Sequence, residues 1–231
     1  MKTIILTGAI FPSCPVRRND PKERLLDVLC AVQCWISEES LDHIVYCDAS
    51  GFHIPETIFR SDKFESLSFD ASETAREHEK GRAELDALYY VLQNSHYRID
   101  SFFKCTGRLY VKNFSELRQE MYDPRHDARL RHDKTRFWTD TRFFWMKSNC
   151  FFENVLPYRS EITCYGGLSI EEVFYRKMKE TPEFHQPRFV GYHALTNTLY
   201  DEYFSDEIQE KAGEWISKWD VTQNCFYYER N

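Results

Sequence analysis

Two short apolar runs separated by one amphipathic helix constrain this chain more than any other feature. "KTIILTG", Lys2 to Gly8, is a short apolar run that closes on Thr-Gly, as a buried strand followed by a turn does. "NDPKERLLDVLCAVQCWISEE" follows. Asp20 suits the N-cap, Pro21 the first helical position, and Glu23 the reciprocal place in a capping box. Leu25, Leu29, Val32 and Ile36 recur at helical spacing. "HIVYCDASGF" supplies a second strand, His43 to Cys47, broken by Asp48-Ala-Ser-Gly51. "ETAREHEKGRAELDALYYVLQNS" reads as a second helix with Leu85, Leu88 and Leu92 on its buried face, weakened near Gly81. "DSFFKCTGRLYVKNFSEL" reads as a third strand with a polar break in its middle. Strand, helix, strand, helix, strand predicts βαβ units, an α/β fold and a mixed, mainly parallel sheet flanked by helices.

In an open α/β sheet, ligands bind beyond the carboxyl ends of the strands. Thr7-Gly8, Asp48 to Gly51, and Lys104 to Arg108 fall at such ends, so the topology predicts that they meet on one rim.

The 231 residues, 42% hydrophobic, suffice for one large domain with a sizeable core. We expect a single domain over 1–231, with 1–115 as a nucleotide-binding half and 116–231 as an acceptor half ending in a C-terminal helix. A net charge of −7 gives no general attraction for nucleic acid. The eight cysteines form no CxxC pair, although Cys30 and Cys34 share a helical face, so a zinc site is not expected. The start of the chain is too short in apolar residues for a secretory signal, and no apolar run approaches a membrane span. These features predict a cytoplasmic protein with free thiols, with peripheral contact at the inner face of a membrane left open. No GxGxxG, GxxxxGK[ST] or GxSxG motif occurs.

"IVYCDASG" resembles the second strand of GT-A glycosyltransferases, where β-branched residues run into an Asp and a small turn. Asp-x-Ser-Gly is also ordinary turn chemistry. "FFKCTGRLYVKNFSEL" resembles the strand that carries the DxD motif in those enzymes, with Thr106-Gly107-Arg108 in place of the acidic triplet. It is also similar to the K-x-T-G-R strand of bacterial surface-polysaccharide (capsule and O-antigen) transferases. "GGLSIEEVFYRKM" resembles the acidic motif that opens a helix facing the acceptor.

The resemblance implies a glycosyltransferase of the Leloir type. It would move a sugar from a UDP-, GDP- or CMP-linked donor to a saccharide or lipid-linked saccharide hydroxyl in surface polysaccharide synthesis. It implies that Thr7, Gly8 and Asp48 lie near the donor, with Asp48 at the nucleoside, and that Glu172 or Glu171 serves as general base. Thr-Gly-Arg offers no carboxylate for a hard cation. Lys104 and Arg108 are therefore expected to hold phosphate by fixed charge, with Thr106 beside them on the donor side and Gly107 allowing close approach. A β-bulge whose Arg pairs with a surface acid would give the same pattern. A site without metal is favoured; if Mn²⁺ or Mg²⁺ binds, Asp140 is the first ligand to test. Asp140 also fits a turn or an acceptor contact, and Arg142 fits phosphate or a pair with Asp140. Ser169-Ile-Glu-Glu172 is equally a capping box, in which case Glu171 becomes the better base.

Tyr122 to Trp138 mixes both charge signs and reads as a solvated segment, with a lid or a contact to lipid head groups as alternatives. His193 is a further donor-side candidate. Ile208, Ala212, Trp215 and Trp219 mark one face of a late helix before an aromatic end. A nucleotidyltransferase, or a saccharide- or partner-binding protein without catalysis, would suit the same sheet.

Overall fold

The structure, a computed structural model, describes residues 2–220 and the backbone of residues 225 and 226. Its centre is a six-stranded sheet. The strands are β1 (Thr3–Gly8), β2 (His43–Asp48), β3 (Phe64–Ser68), β4 (Ser101–Thr106), β5 (Ala128–Arg129) and β6 (Phe143–Lys147). They lie in the order β3-β2-β1-β4-β6-β5. The first four are parallel; β6 runs antiparallel to β4 and to β5. Helices α1 (Pro21–Ile36), α2 (Ser72–Glu77), α3 (Lys80–Asn94), α4 (Phe114–Met121), α5 (Ser148–Asn154), α6 (Ile170–Met178) and α7 (Asp206–Ile216) complete the layers. Among the described residues no helix is long and apolar enough to cross a membrane.

Successive strand residues point to opposite faces. Ile4, Leu6, Ile44, Tyr46, Phe103 and Cys105 join the core with α1, α4 and α7. Ile5, Val45, Cys47 and Phe102 join a second core with α3, α5 and α6. Both faces are covered, which explains the continuous apolar runs Ile4–Leu6 in β1 and Ile44–Cys47 in β2. Each large apolar side chain so buried stabilises the fold by about 1.5–3 kcal/mol. α7 packs on α1. Its Ala212 is fully buried while Ile208 and Trp215 pack against the core, and Trp219 follows in a short strand beyond the helix. The aromatic end of the tail lies outside the described residues.

Several elements differ from their sequence readings for local reasons. "FESLS" is a strand despite its polar residues. Buried Glu65 accepts from Ser95 Oγ at 2.6 Å and from the His96 N–H at 2.9 Å, so its burial is satisfied by the loop after α3. The second helical stretch divides at His78-Glu79, where extended Glu79 caps α3 through Gly81 N–H at 3.1 Å. Gly81 marks a close approach: a Cβ there would stand 2.6 Å from Ile170 Cγ2 of α6. Asp20 caps α1 through Lys22 and Glu23 N–H, but Glu23 pairs with Arg18 in place of closing a box.

The run from Asp100 to Leu117 is not one strand. β4 ends at Thr106, and a turn closed by the Leu109 N–H on the Thr106 carbonyl (2.9 Å) follows. Tyr110–Val111 then pairs with Phe189–Val190 in a separate ribbon. The segment 122–138 is ordered by pairing rather than loose: Ala128–Arg129 forms the sheet edge, and His132–Asp133 makes a hairpin with Trp138–Thr139.

Candidate active site

Register brings the carboxyl ends of the central strands level: Gly8 lies beside Asp48, and Thr7 beside Thr106. Above them opens a cavity of about 420 Å³. The loop after β1, the first turns of α1 and α3, the turn after β4, the start of α6 and the segment around His193 enclose it. The rim expected from the topology is therefore present. Thr7, Gly8, Thr106, Arg108, Arg142, Glu171 and His193 all line it. Thr7 Oγ1 is buried on this wall without a hydrogen-bond partner.

The cavity is cationic although the chain is acidic. Arg108 donates from Nε to the Tyr192 carbonyl at 3.1 Å, and among the described residues no carboxylate pairs with it. Arg24, from the first turn of α1, donates from Nε to the Ala9 carbonyl (2.7 Å) and from Nη1 to the Arg18 carbonyl (3.0 Å), again with no carboxylate partner. Burial, reinforced by the charge of Arg108, lowers the Arg24 guanidinium to about 10, and burial lowers that of Arg108 as well. A guanidinium keeps its proton inside proteins, so both are cations at neutral pH. Two arginines that repel each other across a cavity, each held by carbonyls, form an anion seat. Lys80 lines the same wall. Arg24 escaped the sequence reading. Its one signal was a cation in a helix's first turn, where the dipole disfavours positive charge.

Arg142 is differently placed. It grips Asp140 through Nε–Oδ1 (2.8 Å) and Nη2–Oδ2 (2.6 Å), donates to Tyr200 Oη at 3.0 Å, and lies over the Phe189 ring. Burial opposes its charge, but the bonds and charge of Asp140 outweigh burial and push its pKa up. Asp140 is thereby occupied and does not reach the cavity wall. Burial lowers the His193 pKa, aided by Arg108, Arg142 and Lys80. Its Nδ1 accepts from the Thr196 N–H at 3.3 Å, which leaves the proton on Nε2.

Three expected donor residues stand off the wall. Lys104 is fully buried; its Nζ pairs with Glu84 and donates to the Thr141 carbonyl at 2.6 Å. Its side chain follows the strand alternation toward α3 rather than the rim. Asp48 is fully buried and accepts from Ile10 N–H (2.9 Å), Ser50 N–H (2.8 Å), Ser50 Oγ (2.5 Å), Phe52 N–H (3.1 Å) and Tyr46 Oη (2.9 Å). With five donors satisfied, it pins the loops after β1 and β2 and has no capacity left for a nucleoside. Gly107 allows close approach to the protein itself: a Cβ would lie 2.8 Å from Tyr46 Cε2 and 3.1 Å from the Thr7 carbonyl.

The two glutamates of α6 divide their roles. Glu172 closes the capping box: Ser169 Oγ accepts its N–H at 3.2 Å, and its Oε2 accepts the Ser169 N–H at 2.8 Å. It faces a separate hollow. Glu171 lines the cavity, where burial and then the nearby Glu84 charge push its pKa up. A carboxylate so raised is a better proton acceptor.

The turn after β4 offers no carboxylate to a divalent cation, Asp140 is held by Arg142, and Glu84 by Lys104, which leaves Glu171 as the carboxylate of the wall without a cation partner. Among the described residues no group of three or more His, Cys, Asp or Glu side chains has metal-binding geometry. Cys14, Cys30, Cys34, Cys47, Cys105, Cys150 and Cys164 are all unpaired.

Strands, helices and rim cavity together define a GT-A-like α/β fold, and this chain is similar in fold to solved glycosyltransferases. One is the galactosyltransferase LgtC, solved in complex with donor and acceptor sugar analogs. It has a TM-score of 0.50 and 8% identity, covering 79% of this chain and 73% of that one. Another is the glycosyltransferase GlyE from Streptococcus pneumoniae TIGR4, with a TM-score of 0.50 and 6% identity, covering 79% of this chain and 44% of that one. A further solved structure, the inositol-1-phosphate CTP transferase from T. maritima, has a TM-score of 0.47 and 13% identity, with coverage of 94% and 96%. At these identities the likeness is one of fold. No protein-family model and no curated protein matches the chain.

Proposed function

We propose that the protein transfers a sugar from a nucleoside-diphosphate sugar to a saccharide hydroxyl. The carrying observation is the pair Arg24 and Arg108, two cations without carboxylates on the rim of a GT-A-like sheet. They seat the donor diphosphate and stabilise its charge as it leaves. Thr7 Oγ1 and the His193 Nε2 proton are the further hydrogen-bonding groups of the same wall. Glu171 takes the proton of the attacking hydroxyl as the new bond to the anomeric carbon forms and the bond to diphosphate breaks. Thr7, Arg24 and Arg108 come from 1–115, and His193 and Glu171 from 116–231. Among the described residues no group of three or more ligands is placed for the metal that such folds commonly use to neutralise diphosphate, so charge neutralisation falls to the arginines.

Thermal shift with UDP- and GDP-sugars, each with and without EDTA, tests this reading. Stabilisation by one nucleotide sugar is expected, unchanged by EDTA. Stabilisation only by nucleoside triphosphate with Mg²⁺ would transfer the protein to nucleotidyl chemistry. No shift with either would point to a binding protein without catalysis.

Arg108→Ala is expected to weaken the nucleotide sugar by about 1.5–3 kcal/mol, roughly 10- to 150-fold in Kd, for loss of a charge-assisted hydrogen bond. The free nucleoside should be nearly unaffected, as titration calorimetry of both would show. Equal losses would remove Arg108 from the phosphate seat.

A further inference from the structure

Beside the main cavity lies a second hollow, also of about 420 Å³, between the 132–139 hairpin and α6. Arg136, Phe137, Glu172, Tyr175, Arg176 and Lys179 line it. Three of the six are cations. Arg136 has only a 3.6 Å contact to Asp133, and no carboxylate among the described residues pairs with Arg176 or Lys179. The one acid, Glu172, is turned to its own helix start.

Phe137 is the second observation. It sits at the hairpin tip with a φ of 55°, a region that a bulky residue enters only under strain, and 66% of it is exposed. Glycine or asparagine would serve the turn better. The strained backbone holds an aromatic ring open to solvent, edge-on to Tyr175 at 5.8 Å. Such a ring offers a flat apolar surface, which the C–H face of a pyranose covers well.

The third observation is position. Arg136 lines both hollows. Glu171 faces the main cavity and its neighbour Glu172 faces this one, so the start of α6 forms the wall between them.

We propose that this second hollow binds the acceptor, and that the acceptor is an anionic saccharide. One sugar ring stacks on Phe137, and Arg176, Lys179 and Arg136 hold its carboxylate or phosphate. The adjoining unit then presents its hydroxyl to Glu171. The acceptor role rests on the transfer reading above; anion and ring binding at the hollow do not.

Titration calorimetry on the full chain tests it with a trigalacturonate, its methyl-esterified neutral form, and glucose 1-phosphate. One or both anions are expected to bind at least about five-fold tighter than the neutral ester. The anion that binds identifies carboxylate or phosphate as the recognised group. Arg176→Ala/Lys179→Ala should abolish that preference. Phe137→Gly relieves the strained φ, so it should raise the melting temperature while weakening trigalacturonate and its ester alike. Equal affinity for charged and neutral trimers, or an unaltered preference in the double variant, would overturn the site. Unchanged saccharide binding in Phe137→Gly would overturn the stacking surface. Nucleotide-sugar binding is measured alongside. Anion binding without it would keep this site and sink the transfer reading; the reverse would sink this site alone.

Discussion

Glu171→Gln is expected to cut the transfer rate by roughly 10²- to 10⁴-fold, the usual range for loss of a general base. An amide does not accept a proton near neutral pH. The capping box at this helix start is closed by Glu172 and Glu171 is half-buried, so the melting temperature of Glu171→Gln should change little. Glu172→Gln is the paired control. Gln at that position still reaches the Ser169 N–H, so both rate and melting temperature should stay near normal. Transfer rates and melting curves for the two variants decide between them. A loss confined to Glu172→Gln would return the base to that residue. Burial, then Glu84, raise the Glu171 pKa, and the base acts only when ionised. The rate should therefore fall as pH drops through a value above the ordinary glutamate range, and the acid limb should vanish in Glu171→Gln.

Lys104→Met should destabilise the fold by about 3 kcal/mol, near the low end for breaking a buried ion pair. The low end applies because the Glu84 side chain is 27% exposed, whereas that of Lys104 is wholly buried. For a chain of this size that is a drop of roughly 6–12 °C in melting temperature. The loss also bears on the site. Glu84 already pushes the Glu171 pKa up, and without Lys104 it loses the cation that pairs with it and offsets that effect. The acid limb of the rate should move to higher pH in Lys104→Met. Adding Glu84→Gln should recover part of the stability and return that limb, as a double-mutant cycle would record. An unchanged melting temperature in Lys104→Met would mean that the buried pair contributes nothing, and would leave Lys104 available for another role.

The sequence by itself determined the parts of the fold that depend on near neighbours. The apolar runs of β1 and β2, the Asp20 cap, the Ser169–Glu172 box and the helical spacing of Leu85 and Leu88 are all local, and all are present. Strand order in α/β chains follows connection rules, so the rim of Thr7, Gly8 and Thr106 was also legible. The chemistry of that rim was not. Lys104 and Arg108 stand four residues apart in one polar break, yet strand alternation buries the first against Glu84 and the turn after β4 delivers the second to the cavity. Asp48 fits a nucleoside-binding pattern, but its own turn supplies donors from Ser50 and Phe52, and tertiary folding adds the Ile10 N–H that ties it to the loop after β1. Arg24 meets Arg108 only because α1 and the end of β4 converge on the same edge. A buried polar group takes its role from its partners, and those partners lie far along the chain. Only the tertiary structure could assign which charges are neutralised and which remain for a ligand.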